Sequence, residues 1–458
     1  TGQYGGIGSL IRKMGDYICI IEPYEGSPAQ KSGLLAGDKI IAIDGKDMVS
    51  MSSSKVSSSL KGPKGSTIQI KVRRNKNEEV TIPVTRDEIK LPDVPYSGML
   101  NNTTGYIKLN SFTQTASADV KSALLRLKKE GAKEMVLDLR GNGGGLLIEA
   151  VKIVNLFVKK DQLVVNTKGR VKEENRVYKT RVEPVDLEMP LAVLMDEGSA
   201  SASEIVAGSL QDLDRAVIIG TTSYGKGLVQ RTYDLKYGSK LKLTIAKYYT
   251  PSGRCVQKLE YYDKAVGGKV KEIPDSLIKI FHTGNGREVI DGRGIEPDLK
   301  ITEDNLSRLS AMLIINNLVF NYATNYYFDH KSITNAKEFK LSDSDYAAFK
   351  QMVVKDTFNY STASEEMLKK MKETAVKEGY FSDVESEYAS LLKKVTPSKE
   401  RDLEKFESEI KEMLENEIVS RYFYQKGRAE YSFRNDPYVE KSKEILKNSA
   451  EYNTILKK

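Results

Sequence analysis

The sequence predicts a multi-domain α/β protein, with a mainly β module first, an alternating α/β core next and a helical domain last. Three observations carry that expectation. Of the 34 glycines only Gly379 and Gly427 lie beyond residue 300, and glycine permits the tight turns that join short strands. From about residue 100 apolar strands alternate with amphipathic helices, the pattern of an α/β layer. After residue 300 apolar residues recur at helical steps of three and four. At 458 residues the chain is long enough for two to four domains, each with its own core.

The elements follow in order. Within residues 1–88, "YICIIEP", "KIIAIDG", "TIQIKVRR" and "EEVTIPVTR" read as short strands, and "KVSSSLKG" as a short helix closed by Gly62. "PDVPYSG" (92–98) reads as a linker into a core spanning 89–300. There strand "TGYIKLNSF" leads to helix 117–130, with a cap at Ser117 and a stop at Gly131. Strand "EMVLDLR" and helix "LLIEAVKIVNLF" follow. The polar stretch 168–185 predicts a hairpin or cap insertion. Strands "LAVLMD", "AVIIG", "GLVQRTYDL" and "KLKLTIAKYYT" complete the core. In the helical domain, 301–458, Leu403, Phe406, Ile410, Met413, Leu414 and Ile418 form one stripe, read as core packing, with a dimerisation or substrate-recruiting arm as the other reading.

Composition narrows the function classes. The 40% hydrophobic and 29% charged residues have the balance of a globular protein. No run of 18 apolar residues exists, so no spanning helix is expected. Cys19 and Cys255 are isolated and there are only two histidines, His282 and His330, so neither a disulfide framework nor a metal site is indicated. The net charge of +8 is spread along the chain without a dense basic block, which argues against nucleic-acid binding. The chain starts at Thr1 without a leader-like segment and reads as a mature or trimmed product, so the missing leader says nothing about export.

Candidate chemistry lies in three stretches. "EGSASASEIVAGSLQD" (197–212) raises a serine nucleophile, yet Ser201 and Glu204 equally read as a helix capping box. Both readings are compatible, because a helix N-terminus also offers N–H groups to an oxyanion. "TTSYGKGLVQ" (221–230) sets Lys226 between two glycines. A lysine becomes a base where burial disfavours its ammonium form, and is otherwise a surface turn residue. "LDLRGNGGGLL" (137–147) joins a strand to a helix. It lacks the spacing and the Lys-Ser/Thr of a phosphate loop, so a backbone donor loop is the other reading.

Together "GYIKLNSF", "LDLRGNGGG", "EGSASASEIVAGSLQD", "GTTSYGKGLVQ", "YYTPSGRCVQ" and "GREVIDGRGIEPD" resemble the carboxyl-terminal processing peptidases, or tail-specific proteases, in matching order over residues 1 to about 300. That resemblance implies a PDZ domain, a peptidase core of the ClpP/crotonase type and a serine-type endopeptidase. It implies Ser201 as nucleophile, Lys226 as base 25 residues later, and Gln230 holding the amine. Lys226 and Gln230, if on one strand, would share a face. It implies oxyanion donors at Ala202 and Gly145, with Gly144 as the neighbouring alternative. In "YGGIG" (4–8), Gly6, Ile7 and Gly8 are the implied residues for a substrate's terminal carboxylate. The expected partners are proteins or peptides with a free C-terminus, no cofactor is implied, and a homo-oligomer stays open. The family places such enzymes outside the cytoplasm, in the bacterial periplasm or cell envelope. The alternative is a catalytically silent PDZ scaffold that binds peptides.

Overall fold

The computed structural model describes residues 3–260, 271–302 and 306–458. The first module is built from strands β1 (Gln3–Gly6), β2 (Ser9–Met14), β3 (Tyr17–Pro23), β4 (Lys39–Ile43), β5 (Lys46–Asp47), β6 (Thr67–Arg73), β7 (Glu79–Thr85) and β8 (Asp87–Lys90). Helices α1 (Pro28–Lys31) and α2 (Ser53–Leu60) interrupt them. The main sheet has the order β2-β3-β4-β6-β7, which leaves β2 on an edge. Alternation along β6 buries Ile68, Ile70 and Val72 with Ile18, Ile20 and Val84. The helix α2 ends at Leu60 and is capped at Lys61, one residue before the expected stop. Gly62 serves a different need there: its N–H donates to the Gly5 carbonyl, and a Cβ placed on Gly5 would lie 2.2 Å from the Gly62 carbonyl oxygen.

The core follows with β9 (Tyr96–Met99), β10 (Thr104–Lys108), β11 (Glu134–Asp138), β12 (Leu163–Gly169), β13 (Arg176–Lys179), β14 (Leu191–Met195), β15 (Val217–Gly220), β16 (Leu228–Asp234) and β17 (Lys240–Tyr249). Its helices are α3 (Ala116–Lys129), α4 (Leu147–Val154) and α5 (Ala202–Asp212). In the larger sheet β10, β11, β14 and β15 lie side by side and parallel. β9 adds antiparallel to β10. Half of the expected linker 92–98 is therefore sheet, because Ser97 and Gly98 pair with Ile107 and Tyr106. Buried on both faces, these strands read as continuous apolar runs. A second sheet has the order β13-β12-β17-β16, and its hairpin β12–β13 occupies the expected insertion.

The cap expected at Ser117 is instead at Thr115. The Ser117 N–H donates 3.0 Å to Oε2 of Glu149, a buried side chain of α4, so a neighbouring helix caps α3. Gly131, at φ 102°, closes that helix as expected.

The tail contains α6 (Arg308–Ile315), α7 (Leu318–Asp329), α8 (Asp343–Lys355), α9 (Ala363–Glu378), α10 (Phe381–Val395), α11 (Lys399–Lys405), α12 (Glu407–Ser432), α13 (Pro437–Lys447) and α14 (Ser449–Ile455). The stripe from Leu403 to Ile418 spans two helices, because Phe406 leaves helical geometry at φ −108°, ψ 23°. Leu403, Ile410, Leu414 and Ile418 are nonetheless fully buried in one core with Leu313 and Phe349.

Two compact units result. One joins the first module to 304–434, and the other joins 90–303 to 435–458. The tail, expected as one helical domain from 301 onward, is thus divided. α13 and α14 pack with the α/β core, where Tyr438, Val439, Ile445, Tyr452 and Leu456 are buried. The Tyr452 hydroxyl accepts from the Leu191 N–H at 3.0 Å. Among the described residues no helix is long and apolar enough to cross a membrane.

Candidate active site

Parallel strands deliver their following loops to one edge of a sheet, and ligands of open α/β sheets gather at those carboxyl ends. Here β11, β14 and β15 are consecutive neighbours. The glycine loop after β11, the serine stretch after β14 and the lysine loop after β15 therefore arrive together.

Ser201 stands at the junction between the β14 loop and α5, with φ 58° and ψ −111°. Such a conformation costs an L-residue about 1–3 kcal/mol and persists only where its surroundings impose it. The surroundings are visible. Its N–H donates to Oε2 of Glu204 at 2.7 Å, its carbonyl accepts from the Tyr248 hydroxyl at 3.1 Å, and Gly144 packs on its side chain. A Cβ on Gly144 would stand 2.8 Å from Ser201 Cβ and 2.9 Å from the Ala202 nitrogen, so only glycine, at φ 95°, allows that approach.

The neighbouring serines are committed elsewhere. Ser199 Oγ donates to the Leu139 carbonyl at 2.9 Å. Ser203 Oγ donates to the Asn142 carbonyl at 2.8 Å. Both side chains are buried, and both brace the stretch against the glycine loop. Ser201 is the half-buried one of the three.

The expected donor set is partly corrected. The Gly144 N–H is spent on Oδ1 of Asn142 at 2.9 Å, so Gly144 contributes close approach and not donation. Gly145 bridges Phe112, whose N–H donates to the Gly144 carbonyl and whose carbonyl accepts from Leu146. Among the described residues nothing accepts a backbone hydrogen bond from Gly145 or from Ala202, the first residue of α5.

Lys226 sits half-buried in the loop before β16. Segment 255–258 holds its flanking glycines closely: a Cβ on Gly225 would be 2.4 Å from Lys258 Cβ, and one on Gly227 2.9 Å from the Gln257 nitrogen. The Gly227 N–H donates to Gln257 Oε1 at 2.8 Å. Glu204 completes the frame. Its Oε1 accepts from Ser223 Oγ at 2.6 Å and the Gly225 N–H at 2.7 Å, and its Oε2 accepts from the Lys226 N–H at 2.9 Å. One carboxylate oxygen thus receives the backbone N–H of both Ser201 and Lys226. Burial raises the acid's pKa, although the four hydrogen bonds oppose that rise.

Gln230 departs from the expected geometry. It lies exposed on β16 opposite Thr244, while Lys226 precedes the strand and a register shift falls between Val229 and Gln230. Strand parity therefore does not place the two side chains on one face. In the first module Gly6 ends β1, Ile7 is buried, and Gly8 at φ 75° turns the chain into edge strand β2.

Sequence reading missed a second cluster at the end of β11. Asp138 is buried and accepts from the Tyr106 hydroxyl at 2.5 Å, Lys108 Nζ at 3.1 Å and Arg140 Nη2 at 2.6 Å. Arg140 also clamps Asp436 through both terminal nitrogens, at 3.1 and 2.7 Å. Burial pushes the Asp138 carboxyl up, but Arg140, Lys108 and the hydrogen bonds outweigh it and hold the group at about 2. Only the charged "DLR" beside the glycine loop signalled it.

Comparison with known proteins places three matches along the chain. A peptidase family S41 profile matches residues 103–261, a PDZ domain profile matches 20–74, and the profile of the C-terminal helical domain of a probable PDZ-protease matches 309–446. A carboxy-terminal-processing protease of Bartonella bacilliformis is 38% identical over 261 residues, covering 56% of this chain and 59% of its own length. The carboxy-terminal processing protease CtpA of Bacillus subtilis is 34% identical over 278 residues, covering 60% and 58%. The chain thus spans about three fifths of the length of these curated relatives. Among solved structures the photosystem II D1 C-terminal processing protease is 27% identical, with a TM-score of 0.36 over 66% of this chain and 72% of its own.

Proposed function

We propose that this chain, which belongs to the carboxyl-terminal processing peptidases and carries their S41 peptidase, PDZ and helical domains, is a serine endopeptidase. It cleaves proteins near their C-termini with Ser201 as nucleophile and Lys226 as base. The observation that carries this reading is the shared Glu204 oxygen, which sets the backbones of Ser201 and Lys226 side by side.

The chemistry follows from that arrangement. The Lys226 amine, in its neutral form, takes the hydroxyl proton as Ser201 Oγ bonds to the scissile carbonyl carbon. The carbonyl oxygen gains negative charge, and the N–H groups of Ala202 and Gly145 are assigned to receive it, with the N-terminus of α5 adding a favourable field. Collapse breaks the C–N bond, and the Lys226 ammonium returns its proton to the leaving amine. Water then adds to the acyl-enzyme with Lys226 again as base, releasing a carboxylate and restoring Ser201. Gln230 is assigned to orienting the amine when substrate is bound.

The PDZ domain supplies recognition in this reading. The loop Gly6-Ile7-Gly8 offers backbone N–H groups to the terminal carboxylate, and the open edge of β2 accepts the substrate as an added strand. The proposed working place is outside the cytoplasm, in a bacterial periplasm or cell envelope.

The test is a fluorophosphonate label with peptide cleavage read in parallel. Ser201 should be modified, and Ser201→Ala should lose both label and turnover. Lys226→Ala should lose turnover to a similar degree, and the double variant should be hardly worse than either single one. Turnover retained in Lys226→Ala at neutral pH would remove the lysine from the mechanism.

A further inference from the structure

Outside the catalytic loops, the peptidase unit contains a cleft of about 540 Å³ between α3, α4, the end of β13 and the segment 181–185 that follows it. That volume is in the range of ligand pockets. Ile148, Val151, Leu156, Tyr178 and Val185 give it an apolar lining. Ile148 is 44% exposed, unusual for an isoleucine in the middle of a helical turn. It lies three residues after Gly145, so the cleft starts at the first turn of the helix that leaves the glycine loop.

Three features specify an occupant. The first is charge. Lys121 on α3, Lys179 at the end of β13 and Arg181 just after it line the cleft, and among the described residues none of the three has an ion pair. Lys152 is already paired with Glu149 at 2.7 Å, and Glu183 is the one acid in the lining. The second is a backbone edge with no partner strand among the described residues. β13 pairs with β12 on one side and ends the sheet on the other, and its Tyr178 and Lys179 line the cleft. The third is length. The eight residues of α4 span about 12 Å, room for about three or four residues of extended chain.

We infer that this cleft is an exosite for an extended, acidic and apolar segment of the polypeptide substrate, which adds along β13 while its acidic side chains meet Lys121, Lys179 and Arg181. In calling the ligand substrate the inference rests on the peptidase reading above, but binding does not require hydrolysis. Edge addition supplies main-chain affinity, alternate side chains enter the apolar lining, and the cations select acidic neighbours.

The experiment uses the full chain with Ser201→Ala. Fluorescence anisotropy follows a labelled peptide of alternating aspartate and leucine, amidated at its C-terminus so that carboxylate capture plays no part. A lysine–leucine peptide of the same length is the control. The acidic peptide should bind, high salt should weaken it, and the lysine–leucine peptide should bind at least about tenfold more weakly. Lys179→Glu with Arg181→Glu, at exposed positions, should weaken the acidic peptide by about tenfold. If that protein does not fold, Lys121→Glu on the separate helix α3 is read instead and should weaken binding in the same direction. Equal affinity for both peptides, or no change on charge reversal, overturns the inference. Binding of laurate without binding of the acidic peptide also overturns it, in favour of a fatty-acid site. A wild-type protein that resists fluorophosphonate while its Ser201→Ala form binds the peptide would overturn the catalytic reading alone.

Discussion

Ser201 holds a backbone conformation that suits glycine better than serine, and this has a measurable consequence. Replacing it by alanine removes the hydroxyl but keeps the strain at φ 58°. Replacing it by glycine removes both. Ser201→Gly should therefore be more stable than Ser201→Ala by about 1–2 kcal/mol, with neither active, as denaturant titration of the two proteins would show. Equal stabilities would mean that the strain is not stored at this residue. The same scale separates the three serines. Ser203→Ala loses one buried hydrogen bond to the glycine loop and should cost about 1 kcal/mol while most turnover remains. A Ser203→Ala protein as inactive as Ser201→Ala would reopen the choice of nucleophile.

Strand β11 ends in the Asp138–Arg140 pair, and that pair makes the stability of its loop depend on acid. The folded carboxyl titrates at about 2, and an unfolded aspartate near 4. Its contribution is fully present above pH 4 and is lost as the pH falls toward 2. That difference is worth about 2.5 kcal/mol, and Asp138→Asn should remove this part of the acid dependence. Urea titrations of both proteins across that window check it, and an unchanged slope would assign the acid sensitivity to other carboxylates. Strand β16 teaches a different lesson. Even spacing from Lys226 to Gln230 suggested a shared face, but the loop before the strand and the shift at Val229 break the period. Parity holds only along uninterrupted strand.

At the scale of the molecule, residues 435–458 complete the peptidase unit. α13 packs on β14 and β15, and Asp436 both caps α13 and binds Arg140. A chain ending at Arg434 should keep its 304–434 helical core but lose stability in the peptidase unit. Hydrogen exchange would show protection lost in β14 and β15 while Leu414 and Ile418 stay protected. Unchanged exchange in those strands would make the last two helices dispensable. Substrate selection is the other whole-chain property. If the PDZ loop reads a terminal carboxylate, amidating one peptide's C-terminus should weaken its binding by about 1.5–3 kcal/mol, the value of hydrogen bonds to a charged group. Equal affinities for the free and amidated peptides would leave the PDZ domain without that role.

By itself the sequence determined the fold class, most strands and helices, and the small set of residues from which a site could be assembled, but not how the tail divides between two compact units. These are legible because periodicity, turn residues and motif spacing act over a few residues at a time. Tertiary structure decided which of them meet. It spent the Gly144 N–H on Asn142, tied off Ser199 and Ser203, and added the Lys226 N–H to the Glu204 oxygen that already caps α5 through Ser201, as the capping box expects. It also carried Asp436 across 296 residues to Arg140. No local pattern encodes such contacts, because they form only when parallel strands bring distant loops to one edge and the packed core leaves each polar group a limited choice of partner.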